Sequence, residues 1–94
     1  MLPGYSTAKT ALLGLTRALA AEAAPTIRVN AVNPGYIESP MTEPVAQMMP
    51  EFKQAWAQKA LLGRVGTVDD VVGVVLFLCS SDAAFVTGES VAID

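Results

Sequence analysis

The stretch Thr67-Val68-Asp69-Asp70-Val71-Val72-Gly73-Val74-Val75-Leu76-Phe77-Leu78-Cys79 decides the fold class of this chain. Thr67 with Asp70 three residues on has the form of a capping box, which opens a helix. The apolar run behind it leaves little polar face, so the helix should run to about Cys79 with most of its sides covered. Ser80-Ser81-Asp82 ends it, Thr87-Gly88 turns the chain, and Ser90-Val91-Ala92-Ile93 reads as a strand. On the other side, Ile27-Arg28-Val29-Asn30-Ala31-Val32 is a β-rich run between Pro25 and Asn33-Pro34-Gly35, a strand ending in a sharp loop. Strand, helical crossover and strand form a parallel pair. Parallel strands are ordinarily buried on both faces, and two strands alone do not make an independently stable sheet. The expected class is therefore α/β, and incomplete as given.

The totals agree. The chain has 94 residues, 52% of them hydrophobic and 16% charged, against about 25% charged in ordinary soluble domains. Small folds have proportionally more surface and should need more polar residues, not fewer. A membrane protein, a tight oligomer or a piece of a larger core would each explain this. No run of about 18 apolar residues is present, which argues against a membrane-spanning helix. Met1-Leu2 is followed at once by Pro3-Gly4, unlike a signal peptide. The net charge is −3 with scattered Lys and Arg and no His, which argues against a nucleic-acid surface. One Cys and no His leave almost no zinc ligands and exclude a Ser-His-Asp triad. Cys79, inside the apolar run, reads as a buried structural thiol in a reducing compartment, so a cytoplasmic location is expected.

Tyr5 to Ala24 reads as a helix, started near Pro3 and closed by Pro25. Leu12, Leu15 and Leu19 share one face, with Ala8 beside them; Ala11, Gly14, Ala18 and Ala21 line roughly the opposite one. A helix apolar on one side and small on the other should be buried on both. From Glu38 to Gly63, three prolines (Pro40, Pro44, Pro50) argue against a continuous element. One or two short helices are expected there, the better candidate at 51–61. Met41, Met48, Met49, Phe52 and Trp56 give this segment an apolar cast.

Tyr5 and Lys9 stand four apart on the first helix, so their side chains share a face. A phenol ordinarily ionises near pH 10 and is a poor proton donor or acceptor at neutrality, and a neighbouring ammonium favours the phenolate. Such a pair suits a general acid for a carbonyl being reduced, or a base for an alcohol being oxidised. Two Tyr and three Lys in 94 residues produce the spacing by chance with a probability of roughly 0.06. Alone, the pair reads more readily as a helix surface with a snorkelling lysine than as a catalytic pair.

The context changes that. Tyr5-Ser6-Thr7-Ala8-Lys9-Thr10-Ala11-Leu12, then Ile27 to Gly35, then Val65-Gly66-Thr67-Val68-Asp69-Asp70-Val71, Phe77-Leu78 and Val86-Thr87-Gly88 resemble the short-chain dehydrogenase/reductase family, in its order and spacing along nearly the whole chain. The resemblance implies the carboxyl-terminal part of a doubly wound, Rossmann-like parallel sheet that binds NAD or NADP at the carboxyl ends of its strands. It implies Tyr5 as proton donor/acceptor and Lys9 as a ligand of the nicotinamide ribose. Pro34 and Gly35 would form the turn beneath the nicotinamide, and the backbone of Ile37 would bind the carboxamide. Ser39 stands where the family usually has Thr, keeping the hydroxyl. The substrate would be a small alcohol or carbonyl compound, and since the helix bearing Tyr5 often helps build a dimer interface in relatives, a homo-oligomer is expected. Neither nucleic acid nor membrane is an expected partner.

On this reading residues 1–94 divide into a catalytic helix (1–25), a strand and nicotinamide-side loop (26–37), a substrate loop (38–63), and a crossover helix with the last strand (64–94). The family's Gly-rich phosphate loop, cofactor-selecting residue, Asn-Ala-Gly segment and catalytic Ser precede its Tyr and have no counterpart here. Ile93-Asp94 stands where relatives continue into Gly-Gly. The expectation is thus a fragment of an NAD(P)-dependent oxidoreductase, inactive in isolation. The alternative is a noncatalytic chain serving oligomerisation or regulation.

Overall fold

The opening Pro-Gly-Tyr and the Ala- and Leu-rich sequence behind it form a 21-residue helix, α1 (Pro3–Ala23), in the computed structural model, which describes residues 3–94. The order continues β1 (Ala31–Pro34), β2 (Ile37–Glu38), α2 (Glu43–Met48), α3 (Pro50–Lys59), β3 (Gly66–Thr67), α4 (Val68–Cys79), a 3₁₀ turn (Ser81–Ala83) and β4 (Ser90–Ile93). β1 pairs with β4, and β2 with β3. The Ala31 N–H donates to the Glu89 carbonyl and the Gly35 N–H to the Ile93 carbonyl. Residue numbers therefore rise together on the two strands, and the pair is parallel, joined through α4 as the strand–helix–strand reading requires. The chain forms two compact units, one running to Val32 and resuming at Phe77–Val91, the other Asn33–Leu76 with Ala92–Asp94.

In the first unit α1 ends where expected, with Thr26 and Ile27 N–H groups closing on the Ala23 carbonyl. The strand does not begin at Ile27. Residues 28–30 instead bond to the segment after α4: Arg28 donates to the carbonyls of Leu78, Ser80 and Val86, and the Asn30 amide donates to the Val86 carbonyl and accepts from the Glu89 N–H. The Val29 N–H meets the Thr87 hydroxyl, and the Gly88 N–H donates to the Val29 carbonyl. Regular pairing starts only where β4 begins, and that limits the strand to Ala31–Pro34. Gly88 has φ +75°, and a Cβ there would lie 3.5 Å from the Ala20 methyl, so this turn needs a residue at ease in the left-handed region.

The core of this unit is thin. Among the described residues only Ala20, Leu78 and Ala83 are buried. Leu12, Leu15 and Leu19 on α1 are exposed, as are Leu76, Phe77 and Cys79 at the end of α4. The expected covering of both helices, and the expected burial of the Cys79 thiol, do not occur within this chain. Their faces are apolar by sequence, and these side chains remain exposed.

In the second unit two of the prolines sit at helix starts. Pro44 lies in the first turn of α2 and Pro50 opens α3, where a missing N–H costs nothing. The capping box forms as read: the Thr67 N–H donates to Asp70 Oδ2 at 2.7 Å, and the Asp70 N–H to the Thr67 hydroxyl at 3.4 Å. β2 and β3 pair in parallel with Ile37 opposite Gly66 and Glu38 opposite Thr67. Two-residue strands carry no alternation to read, so the sequence does not announce this pairing.

Candidate active site

Tyr5 lies in the first turn of α1, 62% exposed, with Lys9 one turn further on. The Lys9 ammonium sits over the phenol ring, 5.5 Å from its centroid, within the range of a cation–π contact. The helix thus brings the pair together as the spacing predicts, with the charge against the ring face.

Pro34, Gly35, Ile37 and Ser39 belong to the other unit. Pro34 ends β1, and Gly35 follows at the turn. A Cβ on Gly35 would come within 3.0 Å of the Asp94 Cβ, so the close approach that glycine permits here is to the end of β4. Ile37 opens β2. The Gly66 N–H donates to the Tyr36 carbonyl, and alternate peptides of a strand point to opposite edges. The Ile37 peptide therefore faces the edge of β2 away from β3, where a planar amide such as a carboxamide can hydrogen-bond to it. Ser39, half-buried, gives its carbonyl to the N–H groups of Thr42 and Glu43 at the start of α2.

Thr42 ties these residues together and is not singled out by the sequence pattern. Its hydroxyl donates to the Ile37 carbonyl at 2.8 Å and accepts from the Ser39 N–H at 3.0 Å. The signal is faint: a Ser-x-x-Thr spacing suits several local turn motifs.

Residues of the segment at 38–63 pack on the same turn. Tyr36 stacks on Trp56, ring centroids 5.9 Å apart and planes 24° off parallel. The Lys59 ammonium lies 5.7 Å from the centre of the Trp56 ring. With Gly35, Leu62, Arg64 and Ile93 these residues border a cavity of about 170 Å³. Of the two aromatics of this segment, Trp56 lines the cavity and Phe52 does not. The Tyr36 hydroxyl is buried without a hydrogen-bond partner.

Two ion pairs fix the flanks. Lys53 on α3 meets Glu38 on β2, and that carboxylate, by hydrogen bond first and charge second, holds the Lys53 ammonium above its usual range. Arg64 grips both oxygens of Asp70, at 2.7 and 3.0 Å. Arg64 first, and then the Thr67 donors, hold the Asp70 carboxyl well below the usual carboxylate range.

A family model described as enoyl-(acyl carrier protein) reductase matches residues 2–94. The chain is 46% identical over 91 residues to the 3-oxoacyl-(acyl-carrier-protein) reductase FabG of Aquifex aeolicus, covering 96% of this chain and 36% of that protein. It is 43% identical over 89 residues to the short-chain dehydrogenase/reductase SDRA of Arabidopsis thaliana, covering 95% of this chain and 35% of that one. Among solved structures, the TT0495 protein of Thermus thermophilus superimposes with a TM-score of 0.87 at 45% identity, over 99% of this chain and 39% of that one. The chain spans a little over a third of the length of these relatives. Ordered sequence blocks, a parallel strand–helix–strand unit and matches along the whole chain agree: it belongs to the short-chain dehydrogenase/reductase family.

Proposed function

We propose that this chain forms the carboxyl-terminal part of an NAD(P)-dependent oxidoreductase acting on a small alcohol or carbonyl compound. The observation that carries the proposal is the Tyr5-Lys9 pair, held on one face of α1 with the ammonium 5.5 Å from the ring centroid, in a chain of this family. A bound nicotinamide supplies or accepts the hydride. Tyr5 Oη gives a proton to the substrate oxygen in reduction and takes it back in oxidation. The Lys9 ammonium steers the phenol and hydrogen-bonds the nicotinamide ribose. The Ile37 peptide, turned to the open edge of β2, and the Ser39 hydroxyl hold the carboxamide end, with Pro34 and Gly35 shaping the turn before them. The segment at 38–63 contributes to the substrate pocket, and the complete enzyme is a homo-oligomer.

In the complete enzyme, Tyr5→Phe should lower turnover by at least about 10²-fold, the low end of what a positioned proton-transfer group contributes. Cofactor affinity, followed by nicotinamide fluorescence, should stay within about twofold. Retained turnover in that variant would remove Tyr5 from the proton-transfer role.

A further inference from the structure

We infer that Thr42 is a positioning residue for the nicotinamide end of the cofactor, an assignment that rests on the roles proposed above for Ile37 and Ser39. Thr42 occupies the N-cap position of α2, yet its side chain makes no cap hydrogen bond to that helix. A threonine at this position ordinarily turns its hydroxyl onto the N–H groups of the helix it opens. Here the hydroxyl reaches backward. It donates to the Ile37 carbonyl at 2.8 Å, with the Ser39 carbonyl at 3.2 Å as a second acceptor, and it receives the Ser39 N–H at 3.0 Å. The N–H groups of Thr42 and Glu43 donate to the Ser39 carbonyl, and Pro44, second in the helix, has no N–H for a cap to receive.

One side chain thus fixes the peptides of Ile37 and Ser39 relative to each other. The opposite edge of the segment is fixed independently by the Gly66 N–H on the Tyr36 carbonyl at 2.9 Å. Thr42 is half-buried, so water competes only partly for these bonds. Without the hydroxyl, the Ile37 carbonyl and Ser39 N–H lose their common partner, and the Ile37–Ser39 backbone gains freedom that a ligand must remove on binding. The Ile37 N–H remains, so binding weakens rather than disappears.

The experiment compares the complete enzyme with its Thr42→Val and Thr42→Ser variants, titrated with NADH, NADPH and ADP-ribose, which lacks the nicotinamide. Valine keeps the branched shape and removes the hydroxyl. Thr42→Val should weaken the preferred reduced cofactor by about tenfold, the order expected for loss of such hydrogen bonds, and leave ADP-ribose unchanged. Thr42→Ser should bind within about twofold of wild type, since its hydroxyl can make the same bonds. Equal binding of the cofactor by Thr42→Val and wild type would overturn the assignment. So would an equal loss of ADP-ribose, which would make Thr42 a general structural residue, or a serine variant as weak as valine. A wild-type enzyme that binds neither NADH nor NADPH would overturn the proposed function, and this inference with it.

Discussion

Asp70 joins the start of α4 to the loop before it through one carboxylate, with Arg64 on both oxygens and the Thr67 N–H and hydroxyl on Oδ2. These partners favour the charged form and depress its ionisation. The folded state therefore binds this proton less readily than the unfolded chain, whose Asp titrates near about 3.9. The stabilisation is fully present above that value and is lost as pH falls below it, through the depressed folded value. In the complete enzyme, Asp70→Asn should melt below wild type by a constant margin between about pH 5 and pH 7. The margin should narrow in stronger acid, and the check is thermal unfolding followed across that range. A margin that grows as pH falls would contradict the sign. The Thr67–Asp70 half of this cluster is legible in the sequence because a capping box is a fixed local spacing. Arg64 is not, since no rule of spacing ties a loop arginine to an acid six residues on. Thr42 is hidden for a related reason: its sequence position announces a helix cap, and its hydroxyl serves the preceding turn instead.

At the level of elements, the helices are legible in the sequence and the strands less so. Helix limits follow from local features such as Pro3, Pro50 and the Thr67 cap. Strand limits are set by the partner. The run from Ile27 to Val32 has β-forming character throughout, but the ladder with β4 covers only Ala31–Pro34, because residues 28–30 face the turn before β4. In that position Arg28 acts as a helix cap. Its guanidinium donates at 2.8 Å to the Leu78 carbonyl, an acceptor that the last turn of α4 leaves open, and at 3.3 Å to the Ser80 and Val86 carbonyls beyond the helix. Arg28→Ala should destabilise the complete enzyme by about 2 kcal/mol, as expected for partly buried hydrogen bonds to a charged donor. Arg28→Lys should recover only part of this, because one ammonium cannot span acceptors that a planar fork reaches together. Chemical denaturation of the three proteins measures both quantities, and full recovery by lysine would show that charge alone matters at this site.

For the whole molecule, the excess of apolar residues and the two-strand parallel pairs carry one implication between them. Leu12, Leu15 and Leu19 share a face of α1 and are 49%, 51% and 43% exposed; Val72, Val75 and Leu76 on α4 are exposed as well. Fully burying one such side chain is worth about 1.5–3 kcal/mol, so several of them left in water represent a stabilisation this chain does not collect by itself. Two-stranded sheets need further strands or covering helices. That these faces require cover is legible in the sequence. Where the cover comes from is not, because periodicity records which side is apolar and not what lies against it. The 94-residue chain, prepared alone, should therefore associate through its exposed helices and unfold without a cooperative transition. It should also show no saturable binding of NADH or NADPH, because the family's Gly-rich phosphate-binding segment has no counterpart in it. Light scattering with size-exclusion chromatography, thermal circular dichroism and fluorescence titration test the three expectations in turn. A monodisperse monomer with a sharp melting transition would mean that these faces tolerate water and that this part of the fold is stable without its neighbours. Saturable micromolar cofactor binding by the same sample would go further, placing the determinants of affinity in the segment around Ile37, Ser39 and Thr42 rather than in a phosphate-binding loop.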